Sequence, residues 1–145
     1  MQIEIIDKEF NVVICGFACT AINRNWGKTG FMLMDKLWQQ LKITPVKNRG
    51  KNIWVYEENN AMFAGVEPIE APPGGTPLEV KEIKLPKYVY CKHTGPYSKI
   101  GETGNAVLAE LSRRSLQTRL PYIEIYGHWV QDETKLETEL IWCLL

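Results

Sequence analysis

The run Pro121-Tyr122-Ile123-Glu124-Ile125-Tyr126 sets one carboxylate between two phenols at alternate positions. Successive side chains of an extended chain point to opposite faces, so Tyr122, Glu124 and Tyr126 share one face and Ile123 and Ile125 the other. Nearer the C-terminus a second acid stands in an apolar strand, with Glu139, Ile141 and Cys143 on one face and Leu140, Trp142 and Leu144 on the other. A carboxylate among rings suits a flat or cationic organic molecule: each ring face attracts positive charge by about 0.5–2 kcal/mol, and the acid supplies the countercharge. Trp54, Tyr56, Tyr90, Trp129 and Trp142 can add rings to such a site, although strand aromatics also serve as ordinary core and cross-strand packing. If both faces of the last strand are covered, Glu139 must meet a cation, accept hydrogen bonds or take up a proton. At a sheet edge it would lie in water, and the sequence leaves both arrangements open.

Other chemistries are poorly served. Glu137 and Glu139 point to opposite faces of a regular strand, which argues against a carboxylate dyad. A single carboxylate assisted by Tyr97 or Tyr126 can still act as general acid or base. The chain has no nucleophile elbow, phosphate loop or dinucleotide fingerprint, and Gly101 and Gly104 lack the context those motifs require. Cys15 and Cys19 lie in one extended segment, where a four-residue step covers roughly 13 Å, too far for a bridge or a shared ion. Cys91 and Cys143 stand singly, and His93 and His128 match no zinc spacing. The expectation is free thiols in a reducing compartment, with no metal and no cofactor.

The elements that would position these groups occur twice. The first copy runs through the strand Val12-Val13-Ile14-Cys15, a helix from about Trp26 to Leu41, then the strands Ile53–Tyr56 and Met62–Val66. The second runs through Tyr88–Cys91, a helix from about Pro96 to Leu116, then Tyr122–Tyr126 and Glu139–Trp142. Duplication in a short chain predicts one pseudo-symmetric domain over residues 1–145, with copies at about 1–70 and 78–145 and a ligand at their seam. Residues 71–77, Ala-Pro-Pro-Gly-Gly-Thr-Pro, suit neither helix nor sheet and form the linker.

Within the first copy, residues 2–6 alternate, meet the charged turn Asp7-Lys8-Glu9, and resume over 10–20, which predicts two antiparallel neighbours. Phe31, Met34, Trp38 and Leu41 make an apolar helix stripe that needs a sheet to lie on. Lys47–Lys51 reads as a turn, and Glu57–Asn60 as the loop of a hairpin. In the second copy, Leu78–Ile83 reads as an edge or half-exposed strand, and Thr94 and Pro96 fit the cap and first turn of the helix. Ile100, Val107 and Leu111 mark its buried stripe. Gly101 and Gly104 each cost a helix roughly 1 kcal/mol relative to alanine, which implies a close approach by neighbouring structure or by a ligand.

Bulk composition narrows the function classes. The 145 residues are 45% apolar, and 17 basic residues balance 17 acidic ones, so no footprint for nucleic acid or an anionic membrane stands out. No run approaches the roughly 18 apolar residues of a membrane span, and the N-terminus lacks the layout of a signal peptide. A cytoplasmic protein is expected.

Four motifs in order resemble one family. His93-Thr94-Gly95-Pro96-Tyr97 looks like its H-x-G-P-Y helix start, Glu124-Ile125-Tyr126 like its E-I-Y strand, Thr138-Glu139-Leu140-Ile141-Trp142 like its terminal T-E-I-x-I-P strand, and Phe63-Ala64-Gly65-Val66-Glu67 like its x-A-G-x-E strand. Together they resemble the gyrase-inhibitor-like small-molecule-binding family, also seen as the effector-binding domain of multidrug-responsive transcription regulators. The resemblance implies an α+β fold of two strand-helix-strand-strand modules, an antiparallel sheet with two main helices, and a cleft at the module junction with an acid on its floor. Carried over by motif, that acid is Glu139; a binding site built on it is expected to be lined by Tyr126, Trp54, Tyr97 and Ile141. Cys143 departs from the motif, which usually has proline there.

The leading expectation is a standalone binder of cationic, partly aromatic small molecules, since the regulators' separate DNA-binding domain would need more chain than 145 residues. The resemblance also implies two alternatives. One is a hydrolase of strained cyclopropane-type compounds, with Glu139 activating water and Tyr97 or Tyr126 polarising the electrophile. The other is a protein-interaction module such as a gyrase inhibitor.

Overall fold

The computed structural model describes residues 2–145. Its first half holds β1 (Ile3–Ile6), β2 (Phe10–Thr20), α1 (Trp26–Ile43), β3 (Asn48–Tyr56) and β4 (Ala61–Pro68). The second half repeats the series with β5 (Glu79–Leu85), β6 (Tyr88–Thr94), α2 (Ile100–Arg113), β7 (Thr118–Tyr126) and β8 (Glu137–Leu144). All eight strands join one sheet in the order β1-β6-β8-β7-β3-β4-β2-β5, and every pairing is antiparallel. The fold is α+β, and its halves meet where β3 pairs with β7.

One expected pairing is replaced. β1 and β2 are not neighbours: β1 pairs with β6 of the second half, and β5 pairs with β2 of the first. Each half therefore lends its opening strand to the other, an exchange that alternation cannot reveal because a strand's periodicity does not name its partner. The exchange also curls the sheet. β5 and β6 stand six places apart in strand order, roughly 29 Å on a flat sheet, yet only residues 86 and 87 link them. A link that short spans no more than about 11 Å, so the edges must bend toward each other. Across the bend the rings of Phe10 on β2 and Tyr88 on β6 lie 5.4 Å apart. Ile14, Val55, Phe63, Ile123 and Ile141 fill the helix-free face inside that curl.

Both helices lie on the opposite face. Leu33, Leu37 and Leu41 seat α1 on Phe17, Trp54, Ala64 and Val66, while Ile100, Val107 and Leu111 seat α2 on Val89, Leu140 and Trp142. The seam of α1 is rotated from the expected stripe: Met34 and Leu41 are buried, but Phe31 is 71% exposed and Trp38 37%. Alternation at three and four residues fits two overlapping stripes on α1, and the leucines take the core because Phe31 and Trp38 face an opening between the helices.

Two local expectations also change. Lys47–Lys51 lies mainly within β3, whose register shifts between Asn48 and Asn52; Gly50 has φ +75° and its N–H donates to the Asn48 side chain at 2.8 Å. The bulge lets a polar run continue a strand that its composition reads as ending. Ahead of α2, Tyr97–Lys99 forms a single 3-10 turn, so Pro96 precedes the helix rather than opening it. Residues 71–77 carry neither helix nor strand, and Cys15, Cys91 and Cys143 are buried free thiols. Among the described residues no helix is long and apolar enough to cross a membrane.

Leu37 is fully buried beneath α1. Leu37→Ala is expected to lower unfolding free energy by about 2–5 kcal/mol in a urea titration, since the lost side chain leaves a cavity under the helix that walls the opening.

Candidate functional site

The β3–β7 seam carries a carboxylate buried by phenols. Glu124 is 6% exposed, and its Oε1 accepts from the hydroxyls of Tyr56 at 2.7 Å and Tyr126 at 2.6 Å, while Oε2 accepts from Tyr122 at 2.8 Å. Tyr122 and Tyr126 share its strand face, as two-residue periodicity requires, and Tyr56 reaches it from β3. None of the ion pairs among the described residues includes Glu124. Its charge is held by neutral donors alone. Burial first, and then the Glu124 charge, push all three phenols above their ordinary range.

Beside this group lies a cavity of about 560 Å³ between α1, α2 and the sheet. Trp54, Tyr126 and Glu124 form its floor, Tyr97 and Ile100 one wall, and Phe31 the other. The rings meet edge to face: Trp54 contacts Tyr126 at 5.3 Å and Phe31 at 5.5 Å, and Tyr97 contacts Tyr126 at 5.6 Å with planes at 90°. Trp129, 71% exposed, stands at the mouth with His128. Trp38 is held at the rim by its indole N–H, which donates to the Asn52 amide oxygen at 3.0 Å. A volume of this size lies within the range of small-molecule sites.

His93 positions the α2 side. Its Nε2 lies 3.0 Å from the Pro96 carbonyl and its Nδ1 2.7 Å from the Thr103 hydroxyl. A carbonyl can only accept, so Nε2 carries a proton and donates to Pro96, while Nδ1 shares the second hydrogen bond with the Thr103 hydroxyl. The ring thereby ties the start of α2 to β6 and holds Tyr97 over the cleft.

Of the residues expected at the site, Trp54, Tyr97 and Tyr126 line the cavity, whereas Glu139 and Ile141 do not. Both lie on the helix-free face, Ile141 fully packed among Ile123 and Cys143 and Glu139 half-buried opposite Lys92 and Ile125. Glu139 neighbours Tyr90 there, whose phenol is pushed up to about 12 by burial and then by the Glu139 charge. The acid that borders this cavity is Glu124 and not Glu139, because β8 turns Leu140 and Trp142, not Glu139, toward the helices. A mechanism pairing Glu139 with Tyr97 or Tyr126 is likewise not assembled. The alternation Tyr122, Glu124, Tyr126 marks this acid as part of one strand face in the sequence, whereas motif position points to the other acid. Phe31, Trp38 and His128 were missed as lining residues because no motif marks them.

The phenols define a pH response. Their raised values mean that the unfolded chain loses phenolic protons first as pH climbs through about 10, so the stability they contribute is whole below that point and falls above it. In an alkaline titration followed at 295 nm, Tyr56, Tyr122 and Tyr126 are expected to ionise only together with loss of the fold. Tyr122→Phe is expected to cost about 1.5–3 kcal/mol in urea unfolding, the worth of a hydrogen bond to a charged group.

The fold has solved counterparts. The C-terminal domain of EcmrR superposes with a TM-score of 0.73 at 14% identity, covering 99% of this chain and 97% of that one. In the EcmrR–DNA complex the match covers 57% of the EcmrR chain with a TM-score of 0.71, so this chain spans little more than half of that protein. SAV2435 bound to tetraphenylphosphonium matches at 0.68 and 15% identity, over 100% of this chain and 94% of that one. A hydrolase from Listeria innocua matches at 0.57 and 10% identity, over 99% and 92%. At such identities the likeness is one of fold. No curated protein matches the chain by sequence. The GyrI-like small molecule binding domain model matches residues 51–144, which take in the later part of β3, α2 and the whole Glu124 strand, and the chain belongs to that family.

Proposed function

We propose that the cleft binds a cationic, partly aromatic small molecule, with Glu124 as its charge partner and Trp54, Tyr126 and Tyr97 as its ring contacts. The carrying observation is a carboxylate 6% exposed, held by three phenol donors, with no basic side chain paired to it among the described residues. Removing a carboxylate from water is costly, and neutral donors offset only part of that cost. A ligand cation supplies the missing countercharge, and the surrounding ring faces attract the same sign of charge. SAV2435, of the same fold, is bound to tetraphenylphosphonium, a cation carrying four phenyl rings.

Binding is favoured over turnover by the state of the carboxylate. Three of its roughly four lone-pair sites are occupied by phenols, which leaves little capacity to take a proton from water. Hydrolysis, the activity named for the Listeria innocua neighbour, would need one of those phenols to move aside.

Calorimetric titration with tetraphenylphosphonium and with neutral triphenylphosphine oxide tests the charge pair. Glu124→Gln is expected to weaken the cation by about tenfold or more, near 1.4 kcal/mol, while leaving the neutral compound within about twofold. Glu139→Gln is expected to leave both unchanged. Equal losses for both compounds in Glu124→Gln, or a selective loss in Glu139→Gln, would contradict the reading.

A further inference from the structure

Glu124 also borders a second cavity, of about 620 Å³, on its other side. The two cavities are counterparts. Trp54 and Glu124 face each other in the β3–β7 register and occupy corresponding positions in their strands, so the pseudo-twofold axis of the molecule passes between them. Each helix opens with the same five-residue pattern, Trp26-Gly27-Lys28-Thr29-Gly30 in α1 and Ile100-Gly101-Glu102-Thr103-Gly104 in α2. Gly27, Phe31 and Met34 line the first cavity; their equivalents Gly101, Asn105 and Leu108 line the second. Tyr126 borders the first and its equivalent Tyr56 the second. The carboxylate beside the axis has a tryptophan as its counterpart, and it borders both cavities.

The second cavity offers a flat aromatic floor. Tyr56 and Tyr122 lie 5.3 Å apart with planes inclined 35°, and Tyr122 and Trp142 lie 4.9 Å apart at 33°. Its glycines are not explained by packing. At Gly30 a β-carbon would strike the Trp54 ring at 2.4 Å, so that glycine is required by the seat of α1. At the equivalent Gly104 a β-carbon would meet only Trp142, at an ordinary 3.8 Å, and at Gly101 it would meet nothing within 4 Å. Two helix-weakening residues thus keep open a space that the protein itself does not fill.

We infer that the second cavity is an aryl subsite of the same cleft, and that the ligand class is a cation bearing flat apolar groups on two sides of its charged centre, straddling Glu124. This inference rests on the cation reading above and specifies which cations satisfy it. A one-ring cation needs only one of the two cavities, whereas a ligand with rings on every side needs both.

The test uses tetraphenylphosphonium and one-ring trimethylphenylammonium against Gly101→Leu, which fills the second cavity, and Gly27→Leu, which fills the first and likewise has nothing within 4 Å of the new β-carbon. Leucine is the better helix former, so both variants are expected to fold. Leu108→Trp, further along α2 and 41% exposed, fills the second cavity from its mouth and provides an independent variant. Each of the three is expected to weaken tetraphenylphosphonium by about tenfold or more, while no single variant weakens the one-ring cation by more than about threefold. Tetraphenylphosphonium binding within about twofold of the parent in both Gly101→Leu and Leu108→Trp overturns the subsite and leaves the Glu124 charge pair standing. Glycine effects that persist while Glu124→Gln changes neither cation overturn the charge pair and leave a two-sided cavity. No saturable binding of tetraphenylphosphonium to the parent overturns both.

Discussion

A carboxylate buried at the seam of two halves constrains the rest of the molecule. Glu124 can stay out of water only because three hydroxyls converge on its two oxygens, and those hydroxyls come from both sides of the β3–β7 pairing. The pairing register therefore has to be held to the residue. A slip by one would turn Glu124 onto the helix-free face, among Val55, Phe63 and Ile141, where no hydroxyl cluster waits. The aliphatic packing of that face and the polar cluster on the other specify the same register, so stability and site geometry are enforced together.

The duplicated fold explains why the acid sits where it does. A twofold axis through a two-stranded seam brings equivalent residues into contact, and here the equivalents have diverged: tryptophan on β3, glutamate on β7. One supplies a ring and the other a carboxylate, so the junction combines two groups that neither half brings alone. The exchanged opening strands β1 and β5 tie the halves across the curl, and the helices, each seated by its own aliphatic stripe, stand apart enough to leave open space on both sides of the axis. Glycines in the first turns of both helices preserve that space.

Much of this was legible in the sequence, and the exceptions have physical causes. Strand and helix periodicities located the repeated elements, the α2 stripe Ile100, Val107 and Leu111 is buried as expected, and the aromatic-flanked acid of β7 was visible as a face. Strand exchange was not legible because hydrogen-bond partners leave no mark on alternation. The seam of α1 was misplaced because Phe31 and Trp38, apolar at helical spacing, line a cavity rather than a core, and hydrophobicity alone does not distinguish the two. The choice of Glu139 came from matching a terminal strand motif. Leu140 and Trp142 pack beneath α2, and strand alternation obliges Glu139 to point away from both helices.

The most direct test of the central claim is the position of a bound cation. In a crystal soaked with tetraphenylarsonium, the anomalous signal of arsenic locates the charged centre without reference to the fit of the rings. The account predicts a peak within about 4–6 Å of the Glu124 carboxylate, the distance over which opposite charges act strongly. A peak on the helix-free face beside Glu139, or one confined to the protein surface, would contradict it.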